Sequence, residues 1–306
     1  MKRILPAILL CFIGMGAFAQ QDPLYAQYIN NPMVINPAYA GLNNNFNASV
    51  TYRKQWAGFD GSPTTFNFNT HVSLVDNKVG VGLLAVSDQI GSSKNTEVQA
   101  AFSYKLPLDD EKTFSFGMQA GFINFKNNYT NLNLDDKTDA AFLQNENITK
   151  PNLGVGAILK SDRFMLGVSI PRLLSTSISV SSATLTQDFQ LYNRHLYVFG
   201  SYVYFLNENI RLKPSVLLRA VKGSPLSVDL NFNFNFNEKF TAGVFTRNLN
   251  SFGAQVQTKL GDKLKFGYTF ELPTGRSVGT QFTTHELFLG ITMPTFDFHD
   301  RSISTF

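Results

Sequence analysis

His71 and Ser73 are the nearest approach to a catalytic pair in this sequence. Residues two apart in an extended strand share a face, so the imidazole and the hydroxyl could serve as base and nucleophile of a hydrolase. Such a pair also needs a third group that orients the base, and the sequence offers none. A polar face of a barrel lumen explains both residues better, and we predict no catalytic residue and no enzyme activity.

Metal and nucleotide chemistry are equally poorly supported. His195, His285 and His299 are scattered without the spacing of metal ligands, and the acidic run 135–139 lacks the ligand order of a calcium loop. Glycines in the pattern of a nucleotide-binding loop lie inside predicted strands with no helix after them; they are Gly80, Gly82, Gly154 and Gly156. We therefore predict no metal and no cofactor.

The elements that carry these residues are strands, most clearly at 226–237, which reads LSVDLNFNFNFN. Every even position from Leu226 to Phe236 is apolar and every odd position is polar. Successive side chains of a strand point to opposite faces. Alternation this strict fits a strand with lipid on one face and water on the other.

Similar segments recur along the chain and predict about fourteen strands. They are 46–55, 64–75, 78–88, 95–107, 112–125, 152–160, 163–170, 192–206, 210–221, 226–237, 239–247, 251–260, 263–272 and 282–293. Tight polar turns occur at every second connection, with longer links such as 126–151 and 171–191 between them. This indicates an all-β, transmembrane, antiparallel up-and-down barrel with short periplasmic turns and longer extracellular loops. A secreted β-sandwich is the less favoured alternative.

The same alternation predicts which side chains face the lumen. A charge facing lipid at mid-membrane costs about 2–4 kcal/mol, so the polar set should line the lumen. We predict these lumen-facing residues: Glu97, Lys105, Asp229, Asn231, Asn233, Lys265 and Glu271. Pro214 interrupts 210–221 and marks either a bulge or a misplaced strand boundary. The formal charge of 26 − 22 = +4 is too small to indicate a nucleic-acid partner.

The beginning of the chain has the form of a cleaved secretion signal. Lys2 and Arg3 precede an apolar run that ends in the small-x-small site 17–19. The single cysteine, Cys11, lies inside that run, so we expect no disulfide in the mature protein. The predicted divisions are a signal peptide (1–19), an irregular plug or periplasmic segment (20–43), the barrel (44–293) and a C-terminal tail (294–306).

Segment 22–41 has three prolines and no sustained alternation, yet it is too apolar for a free tail. It should pack either on the barrel as a plug or on a protein partner, and the residues alone leave both readings open. The candidate plug or partner-binding residues are Tyr25, Tyr28, Pro32, Asn36, Pro37, Tyr39, Arg53 and Trp56.

At this segment the sequence resembles the PorP/SprF family of type IX secretion system outer-membrane proteins from Bacteroidota. The matching stretches are QDPLYAQY at 21–28, NPMVINPAYAG at 31–41, RKQWAG at 53–58, GSPTT at 61–65 and THELFL at 284–289. The resemblance implies a non-enzymatic barrel of the outer membrane. Its implied partners are secretion machinery, or a secreted adhesin or other protein with a C-terminal sorting domain, in part for gliding motility.

A passive channel or small-solute transporter is the alternative function. Water-filled lumens need polar inward side chains, and the predicted inner face supplies several of them. These are Asn231, Asn233, Asn235, Gln255 and Gln257.

Overall fold

The computed structural model describes residues 28–29, 31–129, 145–174, 176–181, 186–274 and 281–294. Several sequence predictions therefore lie outside the described residues. These are the signal peptide 1–19, Tyr25, the acidic run 135–139, His299 and all but the first residue of the tail 294–306.

The described residues form seventeen strands and two short 3-10 helices, η1 (Pro32–Val34) and η2 (Pro37–Tyr39). The strands are β1 (Asn45–Lys54), β2 (Thr64–Leu74), β3 (Val79–Ile90), β4 (Ser93–Pro107), β5 (Thr113–Asn127), β6 (Glu146–Lys160), β7 (Phe164–Ile170), β8 (Thr176–Ser181), β9 (Thr186–Tyr192), β10 (His195–Tyr202), β11 (Tyr204–Phe205), β12 (Ile210–Val221), β13 (Ser227–Phe236), β14 (Phe240–Arg247), β15 (Ser251–Leu260), β16 (Leu264–Pro273) and β17 (Thr284–Pro294). Neither helix, nor any other among the described residues, is long and apolar enough to cross a membrane.

Antiparallel pairing joins the strands into a closed barrel. Neighbours in the chain pair in sequence, β1 also pairs with β17, and β10 pairs with both β7 and β12. Strands β10 and β11 are two parts of one wall strand, because both pair with β12 in one register (Ser201 with Ser215, Tyr204 with Leu212). The wall thus has fourteen strands, as the sequence predicts. Strands β8 and β9 form a separate hairpin.

Strand β13 shows how the alternation is used. Asp229, Asn231 and Asn233 are buried, whereas the intervening Phe232 and Phe234 expose 47% and 39% of their surface. The exposed apolar rows of neighbouring strands together make the outer surface that lipid can cover. The lumen is the polar side of the wall.

Connections are short at one end of the barrel, which we call the short-turn end. They are residues 75–78, 108–112, 161–163, 206–209, 237–239 and 261–263. The opposite, long-loop end has the long connections 55–63, 128–145, 171–194 and 274–283. It also has three short connections, 91–92, 222–226 and 248–250, so the alternation of loop length is incomplete. Gly91 and Asn248 take the positive φ that such turns require (57° and 51°).

Pro214 lies inside β12, whose bounds are those expected from the sequence. The ladder to β10 and β11 is interrupted beside it, between the pairs formed by Ser215 and Leu212. On the other side of this strand the ladder to β7 continues, because the N–H of Val203 donates to the Arg163 carbonyl at 2.7 Å. Because proline has no N–H for a ladder, the break falls where Pro214 has nothing to donate.

Candidate functional site: a plugged lumen

Residues 31–44, which we call the plug, lie inside the lumen. Asn36, Ala38 and Ala40 have no exposed surface, and Met33 exposes only 1%. Proline is the first residue of both 3-10 helices in this segment, where its missing N–H is not needed and its fixed φ favours the turn. The irregular segment predicted from the sequence is therefore ordered by short helices and by contacts with the wall.

Asn36 joins the plug to the wall, and both the nitrogen and the oxygen of its side-chain amide form hydrogen bonds. Its Nδ2 donates to the carbonyl oxygens of Ala157 and Val168, both at 3.1 Å, and these belong to β6 and β7. Its Oδ1 accepts the backbone N–H of Ala38 at 3.0 Å and thereby caps η2. A fully buried amide with both donor and acceptor in use fixes the position of the segment.

Serine side chains from three strands bind plug carbonyls. Ser103 of β4 donates to Ala40 at 2.7 Å, and Ser115 of β5 donates to Ala38 at 2.7 Å. Ser169 of β7 likewise donates to a plug carbonyl, at 2.6 Å. These bonds replace water for backbone groups that would otherwise be buried without a partner.

Inward-facing glycines make room for the plug. A Cβ on Gly80 would lie 2.0 Å from the Ala40 carbonyl oxygen, and one on Gly156 would lie 2.1 Å from Asn36 Oδ1. On Gly117 it would approach the plug backbone to 2.5 Å. Two of the glycines with a nucleotide-loop appearance therefore make room for the plug: Gly80 for its backbone and Gly156 for the Asn36 amide.

His71 and Ser73 bind the end of the plug and not each other. The Nδ1 of His71 accepts the N–H of Gly41 at 3.1 Å. The Lys105 ammonium donates to Ser73 Oγ at 2.6 Å, to the Gly41 carbonyl at 2.7 Å and to Asn44 Oδ1 at 2.8 Å. The arrangement holds backbone in place and shows no nucleophile–base bond.

Two tyrosines, Tyr28 before the plug and Tyr39 within it, are buried as neutral hydrogen-bonding or packing groups. Tyr28 Oη accepts from Asn231 Nδ2 at 2.9 Å, and Tyr39 packs edge-on against His71 with ring centroids 5.5 Å apart. Burial raises the pKa of Tyr39 to about 12 and raises the pKa of Tyr28 as well. Both phenols therefore stay protonated at physiological pH.

A buried ion-pair network runs along the inner wall from β13 to β1 near the long-loop end. Arg53 binds Glu271 at 2.7 Å and Glu286 at 3.0 Å, and only 2% of its side chain is exposed. Arg247 binds Asp229 at 2.9 Å and lies 3.7 Å from Glu271. Each charge has an opposite partner, which offsets the cost of taking it out of water.

The chain after β7 closes more of the lumen near the long-loop end. Arg172 binds Glu97 through Nε at 3.0 Å and Nη2 at 2.6 Å. The Pro171 carbonyl accepts from Gln119 and Asn152, each at 3.0 Å. The lumen is thus obstructed by the plug and also by the residues that follow β7.

At the short-turn end there is open space between the plug and the wall formed by β12 to β16. Two adjoining cavities of about 290 and 230 Å³ share Ile29, Asn235 and Gln257 among their lining residues. Charged side chains dominate the remaining lining and are contributed by β12, β15, β16 and the turn 237–239. They are Arg211, Lys213, Glu238, Lys239, Lys259 and Lys265.

Most of the candidate residues named from the sequence lie in the lumen. The plug residues Pro32, Asn36, Pro37 and Tyr39 lie in the lumen, as does Tyr28. Trp56 lies outside the lumen, half-buried in the connection 55–63. Its backbone N–H donates to Thr284 Oγ1 at 3.2 Å. Six of the seven predicted lumen-facing residues are buried on the inner face, and Lys265 is half-buried beside a cavity.

The serines and Gly117 were not singled out in the sequence, although small inward residues on neighbouring strands are a signal for a close-packed lumen. Among the described residues, no three His, Cys, Asp or Glu side chains could hold a metal ion together.

Comparison with known proteins supplies the biological setting. The family model described as type IX secretion system membrane protein PorP/SprF matches residues 17–291. The chain belongs to this family. A comparison with curated proteins gave no match.

Solved structures of similar shape are outer-membrane barrels. The CymD monoaromatic hydrocarbon channel has a TM-score of 0.50 at 9% identity, covering 92% of this chain and 95% of CymD. The P. putida toluene transporter TodX has a TM-score of 0.45 at 10% identity, covering 84% of this chain and 91% of TodX. At such identities the CymD likeness shows the fold alone. Family and fold together are those of an outer-membrane component of type IX secretion.

Proposed function

We propose that this chain is a non-enzymatic, plugged barrel of the type IX secretion system that binds protein partners and does not conduct solutes. Its partners would be other machinery proteins, or a secreted adhesin or other protein with a C-terminal sorting domain, whose export or surface attachment it supports. The family membership supports the secretion role. The filled lumen supports partner binding over passive transport.

The plug is the observation that carries this proposal. Wall side chains from β2, β4, β5 and β7 bind its backbone, and Asn36 binds wall carbonyls in return. A water-filled channel needs a continuous polar path through the lumen. Here the inner polar groups of one wall are used to hold a segment of the chain itself.

The topology gives the proposal a direction. The plug leads into β1 at the short-turn end, where β17 also ends, and short turns of outer-membrane barrels lie on the periplasmic side. Partners of the secretion machinery would then meet the short-turn end. A surface protein would meet the long-loop end.

Deletion of residues 22–41 tests the proposal. The intact protein should be silent in planar bilayers, because the plug blocks the lumen, and should co-purify with its partners from native membranes. The deletion variant should still assemble, conduct ions and lose co-purification or export. Gly290→Ala is the control for a change on the inner wall away from the plug, since the atoms nearest to its added Cβ are ring atoms of Phe288 at 3.0 Å.

Two results would contradict the proposal. A steady open conductance from the intact protein would favour the passive channel. Normal secretion by an assembled deletion variant would show that the plug segment has no part in export.

A further inference from the structure

We propose that the two cavities at the short-turn end form a binding site for an acidic peptide segment of a partner protein. The inference deepens the proposed function, on which it rests, by naming the chemistry that a periplasmic partner would present. Its test uses purified barrel and synthetic peptide, so its outcome does not depend on conductance, co-purification or export.

The first observation is an excess of positive charge. Lys213, Lys239, Lys259 and Lys265 line the two cavities together with Arg211. The one carboxylate among the described lining residues, that of Glu238, pairs with Arg211. The four ammonium groups form no ion pair with any other described residue.

The contrast with the rest of the lumen gives this excess its meaning. The buried guanidinium groups of Arg53 and Arg247 each bind carboxylates of the wall, and Arg172 binds Glu97. Grouping like charges without partners in a partly enclosed space is unfavourable. An anionic ligand would give these lysines the carboxylate partners that the protein itself gives to the three arginines.

The remaining lining suits a peptide. Asn233, Asn235, Thr241 and Gln257 offer amide and hydroxyl groups that can bind a peptide backbone, and Ile29 adds an apolar contact. Together, volumes of about 290 and 230 Å³ fall in the range of roughly 300–1,000 Å³ that is usual for ligand pockets. Several carboxylates are needed to match four separate ammonium groups.

The position of the cavities favours a peptide over a lipid headgroup. The lining residues contributed by β12 to β16 lie on the inner face of those strands, in register with the buried Asn231 and Asn233, whereas lipid lies against the outer face. A segment reaching the short-turn end from the periplasm would meet the lysines directly.

Fluorescence anisotropy with labelled hexaglutamate tests the site on the full mature protein in detergent. We expect hexaglutamate to bind, hexaglutamine not to bind, and affinity to fall with ionic strength because screening weakens charge attraction. The triple variant K213Q/K259Q/K265Q should lose at least about tenfold in affinity. The control K78Q/K94Q/K222Q removes the same charge from exposed positions and should change affinity less than about twofold.

Charge reversal keeps the test decisive if the triple variant does not fold, as judged by heat-dependent mobility on gels. Lys259→Glu should weaken hexaglutamate binding and improve binding of hexalysine. Equal loss in the exposed-lysine control would overturn the proposal, because binding would then follow net charge. Displacement of hexaglutamate by inorganic phosphate at equal charge concentration would also overturn it, in favour of a small-anion site.

Discussion

The two halves of the lumen wall differ in the length of their inward side chains. Where β3 to β7 contact the plug, they present mainly glycine and serine; these contact residues are Gly80, Ser103, Ser115, Gly117, Gly156 and Ser169. The facing half, β12 to β16, presents long polar chains; they include Lys213, Asn233, Gln257, Lys259 and Lys265. Both halves are strands with the same period, so side-chain length decides whether the lumen holds backbone or open space.

The difference has an energetic basis. Short inner residues let the plug backbone approach the wall, and their hydroxyls satisfy carbonyls that burial would otherwise leave unpaired. Long inner residues keep a segment away and line a cavity where water or ligand can enter. The predictions below test this difference between the two halves.

Gly80→Val should have the largest effect. Its Cβ would lie 2.0 Å from the Ala40 carbonyl oxygen, which is fixed backbone, and valine adds two more methyl groups. Overpacking of this kind typically costs about 1–3 kcal/mol, and here we expect the upper end or more. The plug should leave the lumen, which planar-bilayer conductance would detect as opening.

A labelling experiment separates expulsion of the plug from general unfolding. The predicted mature chain lacks cysteine, so Met33→Cys, buried in the plug, gives a single reactive site. It should resist a membrane-impermeant maleimide in the native background and react in the Gly80→Val background. If Gly80→Val stays silent and unlabelled, or if Gly290→Ala opens the barrel equally, the close approach at Gly80 is not what holds the plug.

Asn36→Leu should come next. The change removes two bonds to wall carbonyls and leaves the buried Ala38 N–H without its cap. A buried donor without a partner costs about 1–3 kcal/mol, so we expect a loss of about 2 kcal/mol in urea unfolding followed by Trp56 fluorescence. Asn235→Leu is the matched change beside the cavities, where one bond to Thr241 is lost, and a comparable loss there would erase the distinction between the halves.

The wall could be predicted from the sequence because its cause is local. Alternation in 226–237 places β13 within one residue at each end, and the same holds for 210–221 and β12. The tight turn 91–92 also has local causes, yet the sequence prediction begins the following strand at 95, two residues after its observed start at Ser93. The β8–β9 hairpin was likewise placed within a long loop.

The plug could be predicted only as one of two alternatives, because its contacts are far apart in the chain. Asn36 binds Ala157 and Val168, more than one hundred residues away. The sequence of 22–41 shows that the segment is too apolar to be free, but not which surface covers it. The glycines of β3 and β6 indicate where the segment packs only when the strands are known to form a barrel, because only then do they face the same lumen.

Ser115→Ala should have a modest effect. It removes one hydroxyl that donates to the Ala38 carbonyl at 2.7 Å, and a single hydrogen bond contributes about 0.5–1.5 kcal/mol. The loss should appear in urea unfolding without opening of the lumen in bilayers. If Ser115→Ala conducts as much as Gly80→Val, the prediction is wrong. One hydroxyl, and not the packed backbone, would then hold the plug in the lumen.

Asn235→Gln should have the smallest effect. The change adds one methylene beside a cavity of about 290 Å³, so the longer amide can extend into open space and still reach the hydroxyl of Thr241. We expect the free energy of unfolding to change by no more than about 0.5 kcal/mol in the same assay.

Ser115→Thr is the matched enlargement on the plug side. It adds a carbon where the residue has no exposed surface, and it should cost about 1–3 kcal/mol. Equal tolerance of both enlargements would mean that the two halves are packed alike, and the plug would then be held by its hydrogen bonds alone.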